Sequence, residues 1–411
     1  MSAERTAPPT IEEVTEVLST VIDPELGSDV VSLGMIPRTE ISPEGRVVVE
    51  VRLTISGCPM RAEIKKMVEQ RLLVHPGVTD VRLEWSEMDS NERSAAMSTA
   101  RAAARDRAPE TAIGQRCQVL AISSGKGGVG KSSVTVNLAA GLAEQGFTVG
   151  VLDADIWGFS VPRLLGMSDR LDATEVDGRP RIIPNRRQIG SGMLEVVSTG
   201  FLVEESTALM WRGLMLTKAV EQFLRDVAWG DLDYLLIDMP PGTGDVQMGL
   251  ARLLPRTSLL VVTTPATAAQ RVAQRAADMA QRSFLPVLGV IENMSGFICE
   301  HGDFHPVFGE GGGQSLADAV DVPLLGSIPI EASVSAGGDN GEPVILSGLG
   351  SAAAALRSIV DQIVSSVAPP KVDDEQLDGC ATKILAAFDD AFAAEDQRNL
   401  ANTNSGGGTE S

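Results

Sequence analysis

The hydrophobic pattern changes period twice along the chain. Ile11, Val14, Val17, Leu18 and Ile22 recur at helical spacing, and residues 46–54 then alternate apolar and polar side chains as a half-buried strand does. A second helical stretch is predicted from about 60 to 73, and 78–85 reads as a closing strand. Helix, strands, helix and strand within residues 11–88 predict a small α+β domain. Residues 89–115 are rich in Ser, Ala, Arg and Glu without an apolar stripe, and read as a linker with some helical preference.

From 116 to 368 the pattern becomes one of short apolar runs separated by longer segments. The runs are 118–123, 148–153, 194–198, 234–238, 258–263, 287–292 and 324–328. Several are nearly continuous, which suits parallel strands buried on both faces with crossover helices between them. The fold class expected is α/β, a doubly wound and mostly parallel sheet, preceded by the small α+β domain. Residues 369–411 contain an amphipathic helix candidate at 377–394 and a Gly-, Ser- and Asn-containing tail.

Composition narrows the function classes. A chain of 411 residues has room for two or three folded units, and 43% apolar residues argue for globular protein. Its 34 Lys and Arg stand against 55 Asp and Glu, a formal charge of −21. Binding to phosphate backbones or anionic lipid needs the opposite surplus, so neither nucleic acid nor membrane is expected as a partner. There is no run of about 18 apolar residues, and glutamates interrupt the first twenty positions; a cytoplasmic protein is expected. Its four cysteines, Cys58, Cys117, Cys299 and Cys380, are far apart and read as thiols.

The chemistry is concentrated at Gly125-Lys126-Gly127-Gly128-Val129-Gly130-Lys131-Ser132. This is a phosphate loop placed between a predicted strand and a predicted helix. Glycines let successive N–H groups curl inward onto phosphate oxygens, and the helix N-terminus adds partial positive charge. Lys131 is expected to span the outer phosphates of ATP and Ser132 to ligate Mg²⁺. Lys126 is a second lysine with no duty toward its own nucleotide. In loops of this pattern it crosses to a facing subunit and acts in trans, as an arginine finger does; the bland alternative is a solvated surface lysine. Two strand ends add carboxylates: Asp238 and Asp153 for the Mg²⁺ shell, and Asp155 to orient the attacking water. A turn or cap role for the latter two stays open.

Taken together, Ser124–Ser132, Leu152-Asp-Ala-Asp-Ile-Trp-Gly158, Trp211-Arg-Gly213, Asp238-Met-Pro-Pro-Gly-Thr-Gly-Asp245 and Glu292-Asn-Met-Ser295 resemble the Mrp/ApbC family of iron-sulfur cluster carrier ATPases. These belong to the deviant Walker A group with MinD and ParA, and the likeness covers about residues 115–368. Val21-Ile-Asp-Pro-Glu-Leu-Gly27, Ser32-Leu-Gly34 and Thr54-Ile-Ser-Gly-Cys-Pro59 are similar to the SufT/PaaD-like metal-sulfur assembly domain. The resemblance implies an ATP-hydrolysing homodimer that carries an iron-sulfur cluster at its interface and delivers it to apoproteins. It also implies that Asn293 meets the adenine edge, although a cap role is open.

The sequence departs from that family at the expected cluster site. Where members show Cys-x-x-Cys after Asn-Met-Ser, this chain has Cys299-Glu-His301-Gly302. A dimer then offers two thiolates there, with His301 and His305 close by in sequence. Three readings stand side by side: a site in which imidazole joins thiolate, a weak cluster completed by an external thiol, and no cluster. Cys58, just before a predicted helix start, is a further candidate ligand whose alternative is simple packing. The rival function is a metal-free ParA/MinD-like ATPase switch that recruits a protein partner in a nucleotide-dependent dimer.

Overall fold

Thr10 opens the first helix, Ile11–Leu18, with a reciprocal cap. Its hydroxyl accepts the Glu13 N–H, and the Glu13 carboxylate accepts the Thr10 N–H at 2.7 Å. The helix buries Val14 and Leu18 in a core shared with Ile64, Val68 and Leu72 of the helix Arg61–Leu73. Both belong with a three-stranded sheet of β1 (Arg38–Ile41), β2 (Arg46–Leu53) and β3 (Asp80–Glu87), with β1 antiparallel and β3 parallel to β2. Alternation in β2 sends Val47, Val49, Val51 and Leu53 into that core, as its period-2 pattern predicts.

This is a computed structural model that describes residues 7–24, 26–54, 60–155, 158–176, 178–201, 213–242, 245–282, 285–299 and 301–371. Cys58, Cys380, Trp157, Trp211, Arg212 and the helix candidate at 377–394 lie outside the described residues.

The stretch expected as a linker contains an 18-residue helix, Ser90–Arg107. Ala96 and Ala100, with Met88 before them, are buried in the core of the first sheet. Arg107 ties the far end down by donating to the Gly27 carbonyl and the Ser28 hydroxyl. The contact face is made of alanines, which allow close approach but leave no bulky stripe to read in the sequence.

The larger sheet is built from β4 (Gln118–Ser124), β5 (Thr148–Asp153), a separate hairpin of β6 (Asp172–Val176) and β7 (Arg179–Ile183), then β8 (Asn185–Ile189), β9 (Gly192–Ser198), β10 (Tyr234–Asp238), β11 (Ser258–Thr263), β12 (Val287–Ile298), β13 (Phe304–His305) and β14 (Leu324–Ile330). Leaving out the hairpin, the order is β13-β12-β11-β4-β10-β5-β9-β8, with β14 also paired to β12. Only β8 and β13 run antiparallel to their neighbours. One face packs on the helices Lys131–Glu144 and Ser351–Gln362, the other on Gly213–Asp226 and Asp245–Leu253. The result is the doubly wound, mostly parallel sheet expected. Strand order reverses around β4, so the crevice beyond the carboxyl ends of β4, β10 and β5 is where ligands collect. Among the described residues no helix is long and apolar enough to cross a membrane.

Candidate functional site

The loop after β4 is shaped by close backbone approach. A Cβ on Gly125 would lie 2.2 Å from the Ala273 nitrogen, so only glycine fits against the helix Thr267–Arg282. Gly128 and Gly130 hold φ of 80° and 79°, in the left-handed region that glycine enters freely. At Gly128 a Cβ would meet nothing within 4 Å, and at Gly127 only the Pro241 ring at 3.9 Å. The exposed loop thus carries backbone with no side chains at Gly127 and Gly128, and the helix Lys131–Glu144 starts behind it with no side-chain cap on its N–H groups. Free N–H donors at a helix N-terminus behind a glycine loop make a cradle suited to phosphate.

Asp238 is the hub beneath the cradle. Fully buried at the end of β10, it accepts Lys131 Nζ at 2.5 Å, Ser132 Oγ at 2.5 Å and Thr135 Oγ1 at 2.9 Å. Lys131 is itself 6% exposed, so the pair is a desolvated ion pair with two hydroxyls completing it. The next strand brings Asp153 into register with Asp238. Burial, and then the negative charge of Asp238, push the Asp153 carboxyl up to about 7. Its oxygens accept the Asp155 N–H at 3.1 Å and the Ser198 hydroxyl at 3.0 Å.

Asp155 accepts the Gly158 N–H at 3.2 Å, which closes a turn at the rim of the crevice. Lys126 is exposed at the tip of the loop. The structure brings Lys131, Ser132, Asp153 and Asp238 together and sets Lys126 apart from them. Thr135 and Ser198 complete the carboxylate shell without having been singled out in the sequence. Thr135 is one helical turn beyond Lys131, on an otherwise apolar face, and that spacing was the available signal.

The strand β12 joins this site to the hairpin that follows. Asn293, 9% exposed, donates from Nδ2 to the Val129 carbonyl at 2.9 Å, so its amide is engaged with the phosphate loop. Glu292 before it accepts the Gly313 N–H at 2.5 Å and the Ser327 hydroxyl at 3.2 Å, which anchors the glycine-rich start of the helix Gly312–Val320. Met294 after it has φ of 56°, a left-handed conformation that is uncommon for a non-glycine residue. The register of β12 against β14 shifts between Asn293 and Phe297.

Beyond this irregularity lies half-buried Cys299. Its sulfur is hydrogen-bonded by the His305 side chain, the strongest influence, and by the backbone at His301 and Asp303, which together hold the thiol below its ordinary range. His301 sits in the turn, where the Gly302 N–H donates to the Cys299 carbonyl at 2.9 Å. Among the described residues no three His, Cys, Asp or Glu side chains group as metal ligands. A cavity of about 500 Å³ adjoins the hairpin, lined by Glu292, Ser295, Ile298, Phe304 and Ser327 among others. Cys117 contrasts with Cys299: burial drives its thiol up to about 12.

Comparison with known proteins bears on both halves. Residues 115–364 match the model described as NUBPL iron-transfer P-loop NTPase, and residues 11–85 match that of an iron-sulfur cluster assembly protein. The chain is 43% identical over 356 residues to a protein of Mycobacterium tuberculosis named iron-sulfur cluster carrier protein, covering 85% of this chain and 91% of that one. A protein of the same name from Deinococcus radiodurans is 42% identical over 362 residues, 87% of this chain and 95% of the relative. Among solved structures it is similar to a nucleotide-binding protein from Archaeoglobus fulgidus in complex with ADP, at 34% identity, 59% and 92% coverage and a TM-score of 0.49. The chain therefore belongs to the NUBPL-type iron-transfer P-loop NTPases and carries an iron-sulfur cluster assembly domain at its N-terminal side.

Proposed function

We propose that this chain is an ATP-hydrolysing, homodimeric carrier that holds an iron-sulfur cluster at the hairpin after β12 and hands it to apoproteins. The observation that carries the reading is one continuous segment: Asn293 of β12 is bonded to the phosphate loop, and Cys299, just past the end of β12, lies six residues further along. A change in the loop on nucleotide binding has a short covalent route to the thiol. The names of its relatives support a cluster as the cargo.

In this reading ATP enters the cradle and Lys131 exchanges Asp238 for phosphate oxygens. The hard oxygen donors Ser132, Asp153 and Asp238 suit Mg²⁺, which would neutralise phosphate charge there. Asp155, freed from its turn with Gly158, orients water, and Lys126 of a facing subunit stabilises charge on the transferred phosphoryl group. Hydrolysis then reopens the dimer and changes the affinity for cargo at the interface.

Anaerobic reconstitution with iron and sulfide, followed by transfer to an apo-ferredoxin with and without ATP, tests the carrier. Bound iron and sulfide lost on Cys299→Ser, with delivery to the acceptor, is the expected result. No bound iron in the wild type would exclude it. Unchanged hydrolysis in both Lys131→Ala and Lys126→Ala would exclude the dimeric ATPase. A second reading, a metal-free switch that recruits a protein partner, is favoured by Gly302 in the place of a second cysteine. It predicts ATP-dependent dimers that hold no iron.

A further inference from the structure

The hairpin after β12 sorts its side chains into two faces. Phe297 pairs with His305 and Ile298 with Phe304 across the antiparallel ladder, and the Cys299 N–H donates to the Asp303 carbonyl at 3.0 Å. Alternation therefore puts Phe297, Cys299 and His305 on one face and Ile298 with Phe304 on the other. On the second face Ile298 and Phe304 line the cavity beside Glu292 and remain partly exposed. The first face carries the Cys299 thiol and the His305 imidazole at diagonal positions of the ladder, with the His305 ring stacked on Phe297 at 6.4 Å between centroids and 28° between planes.

We infer that Cys299 and His305, one pair from each of two copies of this chain, are the ligands of the cargo cluster, two thiolates and two imidazoles around a two-fold axis. The inference rests on the carrier reading above and specifies its site. Cys299 and His305 are the thiol and the imidazole of this face, and no three-ligand group forms within one chain among the described residues. Four is the number of protein ligands a [2Fe–2S] core takes, and imidazole replaces thiolate on iron where His stands in for Cys. A second copy supplies the missing pair.

The surroundings fit a second copy as the occupant. Of the eleven large hydrophobic side chains exposed among the described residues, five fall between 297 and 308: Phe297, Ile298, Phe304, Val307 and Phe308. Apolar surface concentrated in twelve residues around an incomplete ligand set is what a self-complementary contact would cover.

The structure also separates the two histidines. His301 lies in the turn that closes on the Cys299 carbonyl, while His305 stands in the ladder on the face that carries Cys299. His301 is the residue nearer in sequence, and His305 is brought alongside Cys299 only by the hairpin register. Two thiolates and two neutral imidazoles leave an oxidised [2Fe–2S] core without net charge, where four thiolates would leave it doubly negative. Each thiol gives up its proton as it ligates.

Full-length protein reconstituted with ferrous iron and sulfide, desalted and reduced with dithionite provides the test. Pulsed electron paramagnetic resonance should show strong ¹⁴N coupling in the wild type and in His301→Ala. The coupling should vanish in His305→Ala and in His305→Cys, with iron retained in the latter and its spectrum moved toward that of an all-thiolate cluster. His305→Cys keeps a ligand, and so decides the matter even if His305→Ala does not fold; nucleotide binding reports folding in every variant. Iron that depends on Cys299 but shows no ¹⁴N coupling, or coupling lost with His301 instead, would overturn the ligand set and leave the carrier standing. Iron that survives Cys299→Ser would move the cargo away from this hairpin and overturn the inference. A wild type without iron would overturn both.

Discussion

Asp153 and Asp238 stand side by side in register at the carboxyl ends of two parallel strands, and only Asp238 has a cation against it. Lys131 compensates one negative charge. The second is left without a partner cation in contact, and burial, then the Asp238 charge, carry the Asp153 carboxyl up to about 7. The phosphate-loop site is thus poised to lose a proton when further positive charge arrives.

The sign of the effect on stability follows. Folding raises the Asp153 pKa, so its contribution is fully present below the unfolded value near 4 and is lost as pH rises through about 7. Without nucleotide or Mg²⁺, wild-type protein should lose stability from this group between pH 5 and 8, while Asp153→Asn should not. Thermal unfolding of both at the two pH values should show the variant's relative midpoint higher at pH 8 by a few degrees. A gap independent of pH would remove the assignment.

Lys131→Ala should unfold more easily even without ligand. It leaves Asp238 charged and fully buried, with only the Ser132 and Thr135 hydroxyls to compensate, a loss on the order of 3 kcal/mol. Adding Asp238→Asn removes the stranded charge, and urea unfolding of the double variant should recover most of that loss. If the single variant matches the wild type, the pair contributes nothing to the fold.

Much of this site was legible because its chemistry is local. Gly125 to Ser132 are contiguous, and Asp153 and Asp238 each end an apolar run, so strand, loop and carboxylate could be read together. The functional contacts that were hidden depend on distant partners. That Asn293 grips Val129 follows from β12 lying one strand, β11, away from β4, an order no spacing encodes, and Glu292 reaches Gly313 because the helix Gly312–Val320 packs back on β12. The alanine face of Ser90–Arg107 presents no bulky stripe to read, and the apolar run that predicts β12 ends at 292 although the strand runs on to Ile298. That His305 stands opposite Phe297 depends on the hairpin register, which the spacing from Cys299 does not encode.

Two alanine substitutions in the loop should fail differently. In Gly125→Ala the new methyl meets backbone at 2.2 Å, which nothing flexible can relieve, so the folded yield itself should fall. In Gly130→Ala it meets the Asn293 amide at 2.2 Å and keeps a φ of 79°. Asn293→Ala added to Gly130→Ala should recover the steric part but leave about 1–2 kcal/mol of left-handed strain. Circular dichroism with ADP titration separates the cases; equal behaviour of both single variants would contradict the geometry.

The thiols should differ in reactivity. Cys117 is buried and pushed to about 12, whereas Cys299 is half-buried and held below the usual thiol range, first by His305. At pH 7, native protein treated with iodoacetamide should label the Cys299 peptide and spare the Cys117 peptide until denaturant is added. His305→Ala should slow Cys299 labelling several-fold. Mass spectrometry of the two peptides measures this, and equal rates in the native state would refute it.

Lys126 is exposed while Lys131 is locked beneath the cradle, so the two lysines should complement each other in trans. Lys131→Ala leaves a subunit that cannot hold phosphate but still presents Lys126; Lys126→Ala leaves the reverse. Each variant alone should be nearly inactive as an ATPase. Mixed in equal amounts, half the dimers pair one with the other and regain one complete site of two, giving roughly a quarter of wild-type turnover. A mixture no more active than its components would mean that Lys126 does not serve the facing subunit.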